Sequence, residues 1–149
     1  MTNVFWFTKD LRLQDNGALN AAILASDEHR VTPVFVVDLA EYRGLAGIRQ
    51  HSLTESLRAL DGTLGGKLNV LQAATATDVG LLLANAANAV GAANVYATRL
   101  FDPAGRALQF GVGHFLADRG VHLVLEDSQY AVPPGVVKKR DGAPYKVYT

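Results

Sequence analysis

The 149-residue chain balances 14 Lys+Arg against 14 Asp+Glu, is 49% hydrophobic and has no cysteine, a composition that suits one domain with a conventional core. The missing cysteines exclude disulfides, thiol catalysis and thiolate metal sites, and the cancelled charge leaves no global field to draw in nucleic acid, so any DNA contact needs a local patch. No apolar run approaches the ~20 residues of a membrane helix, and no basic region precedes an apolar one at the start; the expectation is a soluble, cytoplasmic domain with no membrane partner.

Strand and helix patterns alternate along the chain. Val4-Phe5-Trp6-Phe7 is a continuous apolar run, as expected of a strand covered on both faces. Asn16 is placed to cap a helix whose Leu19, Ala22 and Ile23 form a stripe. Val34 to Val37 reads as a second buried strand ending at Asp38, and Gly47 to Leu64 as a longer helix with Ile48, Leu53, Leu57, Leu60 and Leu64 on one face. Gly65-Gly66 stops that helix, because glycine readily takes the left-handed geometry of a helix end.

A third strand is expected at Leu68–Leu71, and then a helix capped by Thr77 carrying Val79, Leu82, Leu83, Ala86, Ala87 and Val90 up to Gly91. Asn94–Ala97 reads as a fourth strand, Pro103 opens a helix bearing Leu108, Val112, Phe115 and Leu116, and Val121–Leu125 follows Gly120 as a fifth strand. The pattern predicts an α/β, Rossmann-like fold: a doubly wound parallel sheet in the order 3-2-1-4-5 with helices on both faces. Residues 1–127 form this domain, and 128–149, with Pro133-Pro134-Gly135, Lys138-Lys139-Arg140, Asp141-Gly142 and Pro144, read as an extended tail or the start of a linker. Three cations beside an acid in a turn read better as a solvated loop than as a nucleic-acid patch.

No catalytic residue is assigned. The histidines (His29, His51, His114, His122) lack a second ligand at metal spacing. No Gly-x-Ser-x-Gly elbow occurs, and Ser52 and Ser56, one helical turn apart, have no base. Phosphate-cradling glycine loops are missing too: no glycine precedes Gly17 after the first strand, and Gly111-Val112-Gly113 falls inside a helix. A nucleotide-like ligand would have to be oriented by side chains.

Such side chains collect at the carboxyl edge of the sheet, where open α/β sheets bind ligands. Lys9 and Asp10 follow the first strand, Asp38 the second, and Arg99 and Asp102 the fourth, while Arg49 lies on the first turn of the helix after the second strand. A planar heterocycle with a polar tail fits this set, with arginines on its anionic groups and acids on its ring or sugar hydroxyls. The alternative is that these charges only pair with one another around loop ends.

Trp6-Phe7-x-x-Asp10-Leu11-Arg12-Leu13-x-Asp15-Asn16-x-Ala18-Leu19 resembles the signature that opens the amino-terminal domain of DNA photolyases and cryptochromes. Arg49 followed by Leu53-x-Glu55-Ser56-Leu57-x-x-Leu60, the pair Asp102-Pro103, and Pro134-Gly135-x-Val137 with Gly142-x-Pro144-Tyr145-Lys146-Val147-Tyr148-Thr149 extend the resemblance to the far end. It implies a chromophore-binding, light-harvesting α/β domain whose antenna is a deazaflavin, a flavin mononucleotide or a folate. It also implies a helical FAD-binding domain as partner, through which alone damaged DNA would be engaged and repaired. Thr8-Lys9, Gln50, Ser52, Leu108-Gln109, Ala104 and Gly105 depart from common family residues. The last two stand where folate-binding members carry polar contacts, and Arg49, Arg99 and Asp102 match positions of deazaflavin-type members, so a deazaflavin is favoured. The competing expectation is a stand-alone nucleotide-binding or stress-type α/β protein.

Overall fold

A computed structural model describes residues 2–127 and 134–143. Five parallel strands, β1 (Asn3–Phe7), β2 (Val31–Asp38), β3 (Asn69–Ala73), β4 (Asn94–Thr98) and β5 (His122–Glu126), lie in the order β3-β2-β1-β4-β5. The helices are α1 (Gly17–Leu24), α2 (Leu39–Gly44), α3 (Gly47–Thr63), α4 (Val79–Ala89) and α5 (Pro103–Ala117). No helix among the described residues is long and apolar enough to cross a membrane.

Because successive strand side chains point to opposite faces, the apolar run of β1 feeds two cores. Val4 and Trp6 join Val34, Val95 and Ala97 beneath α4 and α5. Phe5 and Phe7, edge to face at 4.6 Å, join Phe35 and Tyr96 beneath α1 and α3. The alanine-rich helices reflect close packing: Ala84 and Ala87 of α4 are fully covered, and a Cβ on Gly80 would stand 3.0 Å from the Phe115 ring.

Asn16 caps α1 as expected, its Oδ1 accepting from the Leu19 N–H at 3.0 Å. Other expectations need correction. The cap before α4 is Thr75 rather than Thr77: Thr75 and Asp78 form a reciprocal capping box around the turn Ala76–Asp78. Ile48, placed on the buried face of α3, is 76% exposed. Leu53, five residues further on, already lines the carboxyl edge of the sheet, so the turn that carries Ile48 overhangs it with no strand beneath. The third and fifth strands sit one to two residues later than expected, and α2 had no counterpart in the periodicity. In the tail, residues 134–143 form exposed turns, including Lys138, Lys139 and Arg140; the tail reading also covers 128–133 and 144–149, which lie outside the described residues.

The two halves of the sheet meet between β1 and β4. Their ladder pairs only Val4 with Val95 and Phe5 with Tyr96, whereas β1 and β2 pair along all five residues of β1. At the carboxyl end this seam is closed by Asp10, which is buried. Its Oδ2 accepts from Thr98 Oγ1 at 2.6 Å and from Asn16 Nδ2 at 3.0 Å, and its Oδ1 accepts from the Thr8 N–H at 3.1 Å. One carboxyl group therefore joins the β1 loop, the end of β4 and the cap of α1.

Asp10→Ala removes the acceptor of four donors, two of them in buried pairs, and should cost about 3 kcal/mol in urea denaturation; Thr98→Val, which removes one donor, should cost about 1 kcal/mol. A loss below about 0.5 kcal/mol for Asp10→Ala would show that the seam does not depend on this group.

Candidate functional site

Above the carboxyl ends of β1 and β2, beside the seam with β4, opens a cleft of about 570 Å³. Divergence of the helices to opposite faces creates it: α1 and α3 depart to one side of the sheet, α4 and α5 to the other. Its floor is aromatic and aliphatic, built from Trp6, Phe7, Phe35 and Val36. Tyr42 and Leu45 from α2 and its exit, with Leu53 of α3, form one wall; Leu100, Ala104 and Leu108 form the other. Lys9, Asp38, Glu41 and Asp102 supply the charged rim.

Both walls are fixed by amide side chains. Gln50 Nε2 donates to the carbonyls of Tyr42 at 3.0 Å and Leu45 at 3.2 Å, and the Tyr42 hydroxyl meets Thr54 Oγ1 at 3.3 Å. Opposite, buried Gln109 accepts from the Leu100 N–H at 2.9 Å and donates to the Thr98 carbonyl at 2.8 Å. Gly105 lets α5 approach this loop, since a Cβ there would stand 2.7 Å from Leu100 Cβ. A smaller hollow of about 360 Å³ lies between α3 and the β2–β3 side of the sheet, lined by Leu57, Val70 and Gln72 among others. Its charged lining residues are Arg58 and Asp61.

The structure separates the six residues that sequence reasoning grouped. Lys9, Asp38 and Asp102 line the cleft. Asp10 does not; it is buried in the seam, bonded as described. Arg99 is fastened to the far side of β4, its Nε on Asp127 Oδ1 at 2.6 Å and its Nη2 donating to the Leu125 carbonyl at 3.2 Å. Arg49 is exposed on the first turn of α3 and is not among the lining residues. Arg49 and Arg99 are thus not among the lining residues, whose charged members are Lys9, Asp38, Glu41 and Asp102. The reason is local: Arg99 extends the β4–β5 pairing, its N–H donating to the Glu126 carbonyl at 2.9 Å, which carries its side chain toward β5.

Part of the loop-pairing alternative also holds. Lys9 Nζ meets Asp102 Oδ2 at 2.8 Å, bridging the loops after β1 and β4. Asp102 Oδ1 accepts from the Gly105 N–H at 2.9 Å, so the same side chain caps α5. The hydrogen bond from Lys9, and then that from Gly105, hold the Asp102 carboxyl below the usual range. Asp38 caps α2, its Oδ1 accepting from the N–H groups of Ala40 at 2.9 Å and Glu41 at 3.2 Å. Tyr42, Leu45 and Glu41 escaped the sequence reading because α2 did. The available signal was Asp38 followed three residues later by Glu41, a helix-start pattern.

The family model for DNA photolyase matches residues 3–149. The chain is 33% identical to the deoxyribodipyrimidine photo-lyase of Agrobacterium fabrum, covering 98% of this chain and 30% of that enzyme. Among solved structures, a bacterial class III photolyase from Agrobacterium tumefaciens superposes with a TM-score of 0.81 at 32% identity, over 99% of this chain and 30% of that one. The archaeal photolyase from Sulfolobus tokodaii, reported with two FAD molecules and a novel light-harvesting cofactor implied, shares the fold with a TM-score of 0.77 at 24% identity, over 94% of this chain and 32% of its own. The chain therefore spans about a third of the length of these relatives.

The lowered Asp102 value makes the Lys9 bridge stabilising above the unfolded carboxyl value of about 3.9, an effect lost as pH falls through the folded value. With side chains 61% and 42% exposed, the pair is well screened. Lys9→Met should raise the midpoint of the Asp102 carboxyl in a ¹³C NMR titration toward the ordinary range while thermal stability barely changes. An unmoved midpoint would contradict the bridge.

Proposed function

The chain belongs to the DNA photolyase family, and we propose that its switch-point cleft seats a light-harvesting antenna chromophore. The region corresponds to the amino-terminal α/β domain of photolyases and cryptochromes. The observation that carries the reading is the cleft itself. An apolar base that includes Trp6, Phe7 and Phe35 suits the ring of a heterocycle, and the charged groups stand at the rim, where a polar tail would meet water. Its volume lies within the range of small-molecule sites, and it occupies the place in a doubly wound sheet where ligands bind.

A deazaflavin or flavin suits this seat better than a folate, whose extended acidic tail would run past Asp38, Glu41 and Asp102. Lys9, Asp38 and Asp102 remain as ligand-facing groups of the original set, with Glu41 added. Asp10 contributes by holding the seam, and Arg49 and Arg99 take no part in this reading. Excitation would pass to an FAD held by a helical domain, which would also engage damaged DNA. None of the described residues forms a catalytic constellation for dimer repair, so light capture is the task assigned to this unit.

Titration of the 149-residue chain with 5-deazariboflavin should quench the ring fluorescence saturably, with a Kd in the micromolar range. Ala104→Phe, a change at an exposed first-turn position of α5 that projects into the cleft, should weaken binding about tenfold with Tm unchanged. Irradiated with dimer-containing DNA, this unit alone should leave the dimers intact. An absence of saturation up to the solubility limit of the ring would contradict the proposal.

A further inference from the structure

We infer that α2 is a hinged gate on the cleft: it swings away from the opening into the smaller hollow behind it, and the side-chain amide of Gln50 latches it in the closed position. The inference rests on the cleft being a ligand seat and is independent of which ligand fills it.

No residue of α2 is buried, and Ala40, Glu41, Arg43 and Gly44 are exposed. So short a helix is not stable by itself in water and depends on what holds it. At its start, Asp38 accepts from the N–H groups of Ala40 and Glu41 and ties the helix to β2. At its end, Gln50 Nε2 donates both hydrogens, one to the Tyr42 carbonyl at 3.0 Å and one to that of Leu45 at 3.2 Å. One side chain of α3 therefore fastens the exit. Tyr42 adds a weaker tie: Thr54 Oγ1 already donates to the Gln50 carbonyl at 2.9 Å, which leaves the Tyr42 hydroxyl to donate to Thr54 at 3.3 Å. Carbonyls at a helix end can accept from water instead, so this latch opens without orphaning them.

The exit is also built to bend. Gly44 and Gly47 bracket Leu45-Ala46, and a Cβ on either would meet nothing within 4 Å. Neither sits at a positive φ, so neither crowding nor backbone geometry calls for glycine there. Both leave the segment the conformational freedom of a hinge. Space for the swing lies behind the wall. Val37, Tyr42 and Leu53 line both the cleft and the hollow of about 360 Å³, so Tyr42 stands as a partition between them. Leu39 of the same helix lines the hollow too, and Val70 and Gln72 of β3 border it. Turning toward Val70, α2 keeps apolar contact for Leu39 and Tyr42 while the cleft widens. A ligand in the cleft meets Tyr42 and Leu45 only in the latched position, and so favours it.

Amide hydrogen exchange on the ligand-free 149-residue chain reads the gate directly. Residues 43–45 should be protected at least about a hundredfold less than the β1 amides, and their exchange should hardly respond to low urea, as for a local opening. Gln50→Glu, which keeps the size of the side chain but has no N–H donor, should speed that exchange about tenfold and leave α4 and α5 unchanged. Gly44→Ala with Gly47→Ala should slow it severalfold. In stopped-flow mixing with 5-deazariboflavin, Gln50→Glu should raise the association and dissociation rates together, with Kd within about twofold. Val70→Phe, which fills the hollow, should lower both rates. Exchange of residues 43–45 only through global unfolding, or exchange that Gln50→Glu leaves unmoved, would overturn the gate whether or not a ring binds. A change confined to dissociation would show a static wall and overturn the gate as the way in. If no ring binds, the chromophore reading falls, and the exchange results alone uphold or overturn the gate.

Discussion

The fold turns on one buried carboxyl. β1 and β4 run together for only two ladder pairs before they part, and the point of parting is where a doubly wound sheet opens its ligand crevice. Beyond it, Asp10 restores the connection by bonding Thr98 at 2.6 Å across the seam and Asn16 at 3.0 Å behind it. A buried acid is expensive unless its oxygens are occupied; here four donors occupy them. The result is a rigid floor under an open space, with the cap of α1, the loop after β1 and the end of β4 all referenced to one group.

From that floor upward, three of the four charged side chains lining the cleft serve local structure as well as the opening. Asp38 starts α2, Asp102 starts α5, and Lys9 ties the loop after β1 to the cap of α5. These bonds place α2 and α5 as opposing walls, and Gln50 and Gln109 fix the walls from behind. One set of capping bonds thereby shapes the cavity and holds its charged side chains in place. In both respects the chemistry of the site follows from how its helices begin.

The strand order and the two-faced layering were legible because they depend on long patterns. An apolar run such as Val4–Phe7 needs cover on both sides, and four intervening helical stretches leave few ways to provide it. The signature Trp6 to Leu19 pointed to the family for a related reason: Asp10 and Asn16 within it are the bonded pair at the seam. What escaped was short or directional. α2 spans six residues, too few for a periodic signal. Ile48 fitted the stripe of α3, but spacing does not say where the sheet beneath it ends. Placing Arg99 at a strand end could not reveal that it leans toward β5, nor that Asp10 turns inward while its neighbour Lys9 turns out. Residues of one loop share an address in sequence without sharing a direction in space.

Amide chemical-shift mapping is the most direct test of the central claim that the switch-point cleft is the chromophore seat. With ¹⁵N-labelled chain and added 5-deazariboflavin, the largest shifts should fall on the loop after β1, on α2 and its exit, and on residues 100–108, all bordering the cleft. Arg99 and Asp127, paired on the β5 side, and the outer face around Phe110 should stay still. Shifts concentrated at either of those surfaces, with the amides around Lys9, Tyr42 and Ala104 unmoved, would contradict the account.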